Sequence, residues 1–124
     1  MVLDPVFDRF VHGSPLSVMV RGTLEHALPT SDLDALFEKA ASRGVAMEIN
    51  ADPHRLDLDW RVLRRAREAG VTISIGADAH NVSSIGNVEY GVGMARKGWL
   101  GPNDILNARP LEEFLAFAAK RRTA

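Results

Sequence analysis

The chain has 124 residues, 46% of them apolar and 25% charged, a composition typical of a globular domain. Its 15 Lys and Arg against 16 Asp and Glu give a formal net charge of -1, which excludes a strong general attraction to nucleic acid or acidic lipid. It has no cysteine, which excludes disulfides and thiolate zinc sites. No apolar run reaches membrane-spanning length and residues 1–5 do not begin a signal peptide, so we expect a cytoplasmic protein without a membrane partner.

The first 30 residues carry little periodicity. Residues 16–20 have the composition of a strand, between breakers that include Gly13, Pro15, Gly22 and Pro29. From residue 31 the pattern becomes helical. Ser31 can cap a helix that Gly44 closes after Arg43. The inward face of this helix is apolar and consists of Leu33, Leu36, Phe37 and Ala40.

A short buried strand over residues 45–50 follows, and Pro53 ends this extended stretch because proline has no N–H for a sheet. A second helix over residues 60–69 is predicted, capped by Asp59 and closed by Gly70. It leads into a strand over residues 71–77, where Val71, Ile73 and Ile75 alternate with polar residues.

A third helix is predicted between residues 87 and 97, ending at Gly98. Gly91 and Gly93 weaken this helix, so close packing against a neighbour has to compensate. A last helix begins near Pro110. Strands that alternate with short helices predict an α/β fold with a mainly parallel sheet, whose edges need to be covered.

The polar residues with the clearest chemical meaning are Asp78 and His80, which follow the strand over residues 71–77. Ligands and metals bind at the carboxyl ends of parallel strands, and a carboxylate and an imidazole two positions apart can reach one divalent cation. The alternative is that Asp78 caps the next helix and His80 is a surface residue.

Other candidate residues stand at turns and strand ends. His12 follows two apolar residues and precedes Gly13, whereas His26 and His54 are expected in loops. Glu48 faces away from Met47 and Ile49 and is functional only if that face lines a cleft. Asn50 and Asp52 lie at the end of the strand over residues 45–50, where active-site groups collect. Asp57 is expected in an extended approach to the cap at Asp59.

Three arginines, Arg64, Arg65 and Arg67, form a basic helix face that is most simply solvated surface. Together with the tail of Lys120, Arg121 and Arg122 they allow a DNA-binding accessory domain, although the near-neutral charge of the chain argues against strong binding.

Several blocks resemble the C-terminal part of the PHP (polymerase and histidinol phosphatase) domain, most closely the copy attached to bacterial and archaeal family X DNA polymerases. These blocks are residues 32–36, 47–51, 53–58, 70–80, 90–93, 95–100, 104–107 and 111–115. The resemblance implies that residues 1–124 are one truncated domain of this type. It also implies that their fold is the C-terminal portion of a distorted (β/α)7 barrel.

The resemblance further implies a metal-dependent phosphoesterase ancestry, of the 3′-5′ exonuclease or phosphatase type associated with DNA repair. Asp78 and His80 match the last metal motif of the family, and His12 is a third candidate ligand for zinc or manganese. Asn50 and Arg55 are candidate substrate-binding residues. A nucleic acid 3′ end or another phosphate ester is the implied partner.

The chain departs from the family pattern in its metal ligands. It has no His-x-His, and Gly13, Ser14 and Pro15 follow His12 where the family has His-Pro. Most ligands of the metal cluster are therefore absent from the chain, which predicts weak binding. Two interpretations stay open: a minimal phosphoesterase-type domain, or a non-catalytic scaffold that self-associates as a homodimer.

Overall fold

Three parallel strands lie side by side in the order of the sequence. In the computed structural model, which describes residues 17–19 and 30–123, these strands are β1 (Ser17–Met19), β2 (Ala46–Asn50) and β3 (Ile73–Gly76). The central strand β2 pairs with β1 on one side and with β3 on the other. This arrangement confirms the predicted α/β class and the short parallel sheet.

Among the described residues, four α-helices and three 3₁₀ turns connect and follow the strands. The helices are α1 (Thr30–Arg43), α2 (Trp60–Glu68), α3 (Val88–Lys97) and α4 (Leu111–Thr123), and the 3₁₀ turns are Ser83–Asn87, Pro102–Asp104 and Leu106–Ala108. The predicted order of helices and strands is confirmed. The prediction that Ser31 caps α1 is wrong, since the helix already begins at Thr30 and includes Ser31. Strand β3 is shorter than the predicted strand over residues 71–77.

The core lies between the sheet and the helices packed on it. The predicted inward face of α1 is confirmed, since all four of its residues are at most 4% exposed. The strands contribute Met47, Ile49 and Ile73, and α2 contributes Leu63 and Ala66. No helix among the described residues is long and apolar enough to cross a membrane.

Helices α1, α2 and α3 all end with the same pattern of backbone hydrogen bonds. At the end of α1, Gly44 N–H donates to Ala41 O and Val45 N–H donates to Ala40 O, which is a Schellman motif. At the end of α2, Gly70 occupies the equivalent position, and both glycines have the left-handed φ that this motif requires, +62° and +86°. The prediction that Gly44 and Gly70 terminate these helices is confirmed.

The end of α3 uses a different residue for the left-handed position. Trp99 N–H donates to Arg96 O and Leu100 N–H donates to Ala95 O, so Trp99, with φ +67°, stands where the other helices have glycine. Gly98 precedes it with an ordinary φ of -81°. A Cβ on Gly98 would lie 2.9 Å from Leu63 Cβ and 3.1 Å from Trp60 O, so Gly98 lets α3 approach α2 closely.

The two glycines inside α3 have different surroundings. Gly91 is buried, and a Cβ there would collide with Ile75 Cγ2 and lie 3.0 Å from Ala51 Cβ. Close packing of α3 on the sheet therefore compensates for the weak helix propensity of Gly91, as predicted. At Gly93, which is exposed, a Cβ would have no neighbour within 4 Å, so the prediction is wrong for this position.

The free edge of β3 is covered by the segment after α3. Ile105 forms a parallel bridge with Ile73, and the Asn107 side chain lies beside Ile75. Asn107 Oδ1 accepts from Ile75 N–H at 3.1 Å, and Asn107 Nδ2 donates to Ile75 O at 2.8 Å. One side-chain amide therefore satisfies both backbone groups that a further strand would pair.

We expect opposite effects from alanine at the two glycines of α3. Gly93→Ala should raise the free energy of unfolding by about 0.5–1 kcal/mol, because alanine costs less entropy in a helix. Gly91→Ala should lower it by roughly 1–3 kcal/mol, because a methyl group overpacks the contact with the sheet. Urea denaturation of both variants measures this, and equal effects of the two substitutions would contradict the packing described here.

Candidate functional site

Asp78 is held at the carboxyl end of β3 by a residue of the neighbouring strand. The register of β2 and β3 pairs Asn50 with Gly76, which brings the Asn50 side chain beside the residues that follow β3. Asn50 is fully buried and its Nδ2 donates to Asp78 Oδ2 at 3.0 Å. Asn50 Oδ1 accepts from Asp52 N–H at 3.0 Å, so the amide is fixed from both ends.

Asp78 also has a left-handed backbone, with φ +52°. Aspartate tolerates this conformation better than most residues. In this chain the hydrogen bond from Asn50 Nδ2 also holds the Asp78 side chain. The alternative prediction that Asp78 caps the next helix is wrong, because that 3₁₀ helix begins only at Ser83 and has no side-chain cap from Val82. The side chain of Asp78 keeps 35% of its surface exposed.

His80 turns one ring nitrogen back toward the strand end. Its Nδ1 lies 2.7 Å from the carbonyl oxygen of Asp78, and its backbone N–H donates to Ser84 Oγ at 3.2 Å. A carbonyl oxygen only accepts, so Nδ1 carries the proton in this contact, and in the neutral ring Nε2 keeps the lone pair. The exposed His80 ring is therefore oriented with a proton acceptor or metal-ligating atom at Nε2.

Three carboxylates surround one guanidinium beside this strand end. Arg55 NH2 lies 3.0 Å from Asp57 Oδ2, and Arg55 NH1 lies 4.0 Å from Asp78 Oδ2. Asp57 is only 3% exposed. The third carboxylate, Glu48, lies over Gly76, where any Cβ would collide with it. The alternation predicted for β2 is confirmed, and Glu48 does face this polar cluster.

Burial raises the pKa of Glu48 above its ordinary value, and the nearby charge of Asp78 raises this pKa further. Arg55 acts in the opposite direction and Asp57 adds to the increase. The cluster formed by Glu48, Arg55, Asp57 and Asp78 thus holds more negative than positive charge, which attracts cations more than free anions.

A second Asp-x-His sequence, Asp52-Pro53-His54, has a different geometry. Asp52 Oδ1 accepts from His54 N–H at 2.8 Å and lies 3.1 Å from His54 Nδ1. The backbone hydrogen bond from His54, followed by its side chain, lowers the pKa of Asp52. Asp52 therefore contacts its own histidine, whereas Asp78 is bound by the distant Asn50. The two pairs have the same spacing in the sequence, so the sequence does not predict this difference in their contacts.

The predicted site residues are only partly brought together. Asp78, His80, Asn50 and Arg55 lie at one strand end, whereas His12 lies outside the described residues. In the part of the chain that the structure describes, no group of three His, Asp or Glu residues could hold a metal ion. Two donors are fewer than a resident zinc or manganese ion requires, so these residues alone do not fit one.

Sequence reasoning missed the part played by Asp57. We expected it in an extended approach to the cap at Asp59, and the cap is confirmed, since Asp59 accepts from Arg61 N–H at 2.9 Å. Asp57, however, is buried against Arg55, and its carbonyl accepts from Asn50 N–H. Leu56 has a left-handed φ and forms the turn that brings Asp57 to this position. No pattern in the sequence predicts this turn.

The basic face of α2 forms ion pairs within the molecule. Arg64 lies 3.3 Å from Glu68, Arg65 lies 2.6 Å from Asp34, and Arg67 lies 3.2 Å from Asp104. These contacts compensate part of the positive charge of this face.

Comparison with known proteins relates the chain to a DNA polymerase that carries a 3′-5′ exonuclease. Over 86 residues, or 69% of the chain, it is 45% identical to the DNA polymerase/3′-5′ exonuclease PolX of Bacillus subtilis (strain 168). The chain spans 15% of the length of that protein. No protein-family model matches the chain.

The raised pKa of Glu48 predicts a pH-dependent effect of Glu48→Gln. The folded chain binds the Glu48 proton more tightly than the unfolded chain, so the stability from this proton is present below pH 4.5. It is lost as pH rises through the folded pKa. Glutamine cannot ionise, so Tm should exceed that of the wild type at neutral pH and match it below pH 4.5.

Differential scanning fluorimetry from pH 4 to pH 8 measures this difference. Glu38→Gln, which removes an exposed carboxylate on α1, controls for the change in net charge. A Glu48→Gln variant that is less stable than the wild type at neutral pH would contradict the prediction.

Proposed function

We propose that the chain is the C-terminal part of a PHP-type domain and forms one edge of a phosphoester-binding site of the 3′-5′ exonuclease or phosphatase type. The similarity to PolX supports the relationship, and the relative's printed name supports the reaction class. The observation that carries the proposal is the placement of Asp78 and His80 at the end of β3, each held by a hydrogen bond. Under this proposal the three parallel strands are a portion of the family's barrel.

The residues have distinct roles in this proposal. Asn50 positions the Asp78 carboxylate, and the Asp78 carbonyl orients His80 so that Nε2 meets the substrate side of the site. Arg55 balances part of the negative charge and, with its NH1 4.0 Å from Asp78 Oδ2, is the cation that we propose contacts the phosphate. Because the two described donors do not fit a resident ion, we propose only weak zinc or manganese binding by this chain.

A second candidate function is a non-catalytic scaffold that self-associates. Two observations support this candidate. The described residues do not supply enough ligands for a metal ion, and an apolar stripe lies exposed on the surface. Val82, Ile85 and Val88 recur every three residues, which aligns them on one side of the 3₁₀ turn, and they are 86%, 59% and 37% exposed. Such a stripe is typical of a surface that another protein covers, and a second copy of the chain is the partner we consider.

Metal titration tests the first proposal. Millimolar Mn²⁺, or Zn²⁺ at a lower concentration, should raise Tm by a few degrees through preferential binding to the folded state. Asp78→Ala and His80→Ala should each abolish the increase. His54→Ala, which removes the exposed histidine of the second Asp-x-His pair, is the matched control and should keep it. An increase that is absent in the wild type, or that survives in Asp78→Ala, would refute the proposed site.

Light scattering tests the second candidate. A self-associating scaffold should increase in mass with concentration, and Ile85→Glu should return it to a monomer because a buried charge disfavours the interface. Thr72→Glu, a change outside this stripe, serves as the control. A monomer at all concentrations would exclude this candidate without affecting the metal titration.

A further inference from the structure

Both tryptophans of the chain lie on one surface, interleaved with cations. Arg64 lies over the Trp99 ring at 5.0 Å from its centroid, and Lys97 lies over the Trp60 ring at 5.0 Å. Arg61 stands over the same Trp60 ring at 5.7 Å. We call these five residues the tryptophan surface. It is built by the start of α2 and the end of α3, where Gly98 lets the two helices meet.

Trp99 combines two features that do not favour folding. It takes the left-handed position that glycine occupies at the ends of α1 and α2, and a bulky residue there is strained. It also leaves 68% of its side chain exposed. A glycine would adopt this backbone conformation with less strain, so the geometry of the helix end does not account for a tryptophan at this position.

The charges around the two rings indicate an anionic partner. Asp59 binds Arg61 and also interacts with Lys97, and Glu68 binds Arg64, so these cations are partly compensated. With the exposed Arg96 at the end of α3, four cations still stand against two carboxylates. An open indole ring beside guanidinium and ammonium groups is the combination that stacks a base and contacts its phosphate.

We propose that the tryptophan surface binds single-stranded nucleic acid, with a base stacked on Trp99 and the backbone near Arg64 and Lys97. Duplex DNA keeps its bases inside the helix, and an acidic peptide has no base to stack. Because the whole chain carries a charge of -1, the binding should be weak and strongly dependent on salt. This inference concerns a surface apart from Asp78 and His80 and does not rest on the proposed phosphoester chemistry.

Tryptophan fluorescence reads out this surface directly, because the chain has only two tryptophans and both belong to it. Titration with a short oligodeoxythymidylate at low salt should give saturable quenching, which higher salt reverses. The absence of quenching would overturn the proposal. Equal quenching by duplex DNA of the same charge, or by polyglutamate, would also overturn it, since base stacking would then not be involved.

Variants separate binding from folding. In fluorescence anisotropy with a labelled oligodeoxythymidylate, Trp99→Gly should weaken binding about 5-fold or more. Its Tm should be unchanged or higher, because glycine suits the left-handed position. Arg64→Ala should weaken binding about 2- to 5-fold. Arg67→Ala removes a cation of the same helix that lies over neither tryptophan ring, and it is the matched control. Undiminished binding by Trp99→Gly would refute the role of the ring.

Discussion

The parallel pairing of β2 with β3 is the constraint on which the candidate site depends. Because Asn50 stands opposite Gly76, a buried amide from one strand reaches the carboxylate that follows the other. A shift of one residue in this register would turn Asn50 away and expose Met47 and Ile49, so the core and the site specify the same alignment. At Gly91, helix α3 packs closely against the same two strands.

The strand end carries more negative than positive charge, since one guanidinium lies beside three carboxylates. Arg55 neutralises part of the charge of three carboxylates, while burial, followed by the charge of Asp78, raises the pKa of Glu48. The described residues account for the orientation of Asp78 and His80 and for the charge around them, and no group of three described donors could hold a metal ion.

Local rules predicted several features of the helices correctly, although not the start of α1. The apolar face of α1, the cap at Asp59 and the glycine at the end of α2 follow from helix periodicity and backbone preference. The sequence did not predict features that depend on contacts between residues far apart along the chain. The bonds of Asn50 to Asp78 and of Asn107 to Ile75 join residues 28 and 32 positions apart. The predicted end of α3 at Gly98 is confirmed, but the sequence did not predict that the left-handed position falls on Trp99.

The amide of Asn107 has a consequence for how this protein can meet other chains. A strand edge with unpaired N–H and C=O groups is a template for polymerisation, and small parallel sheets are especially exposed to it. Because the Asn107 side chain forms hydrogen bonds with Ile75 N–H and Ile75 O, these two groups cannot pair with a strand of another chain. Together with the bridge from Ile105 to Ile73, this side chain blocks the addition of a strand at the β3 edge, which protects that edge from aggregation.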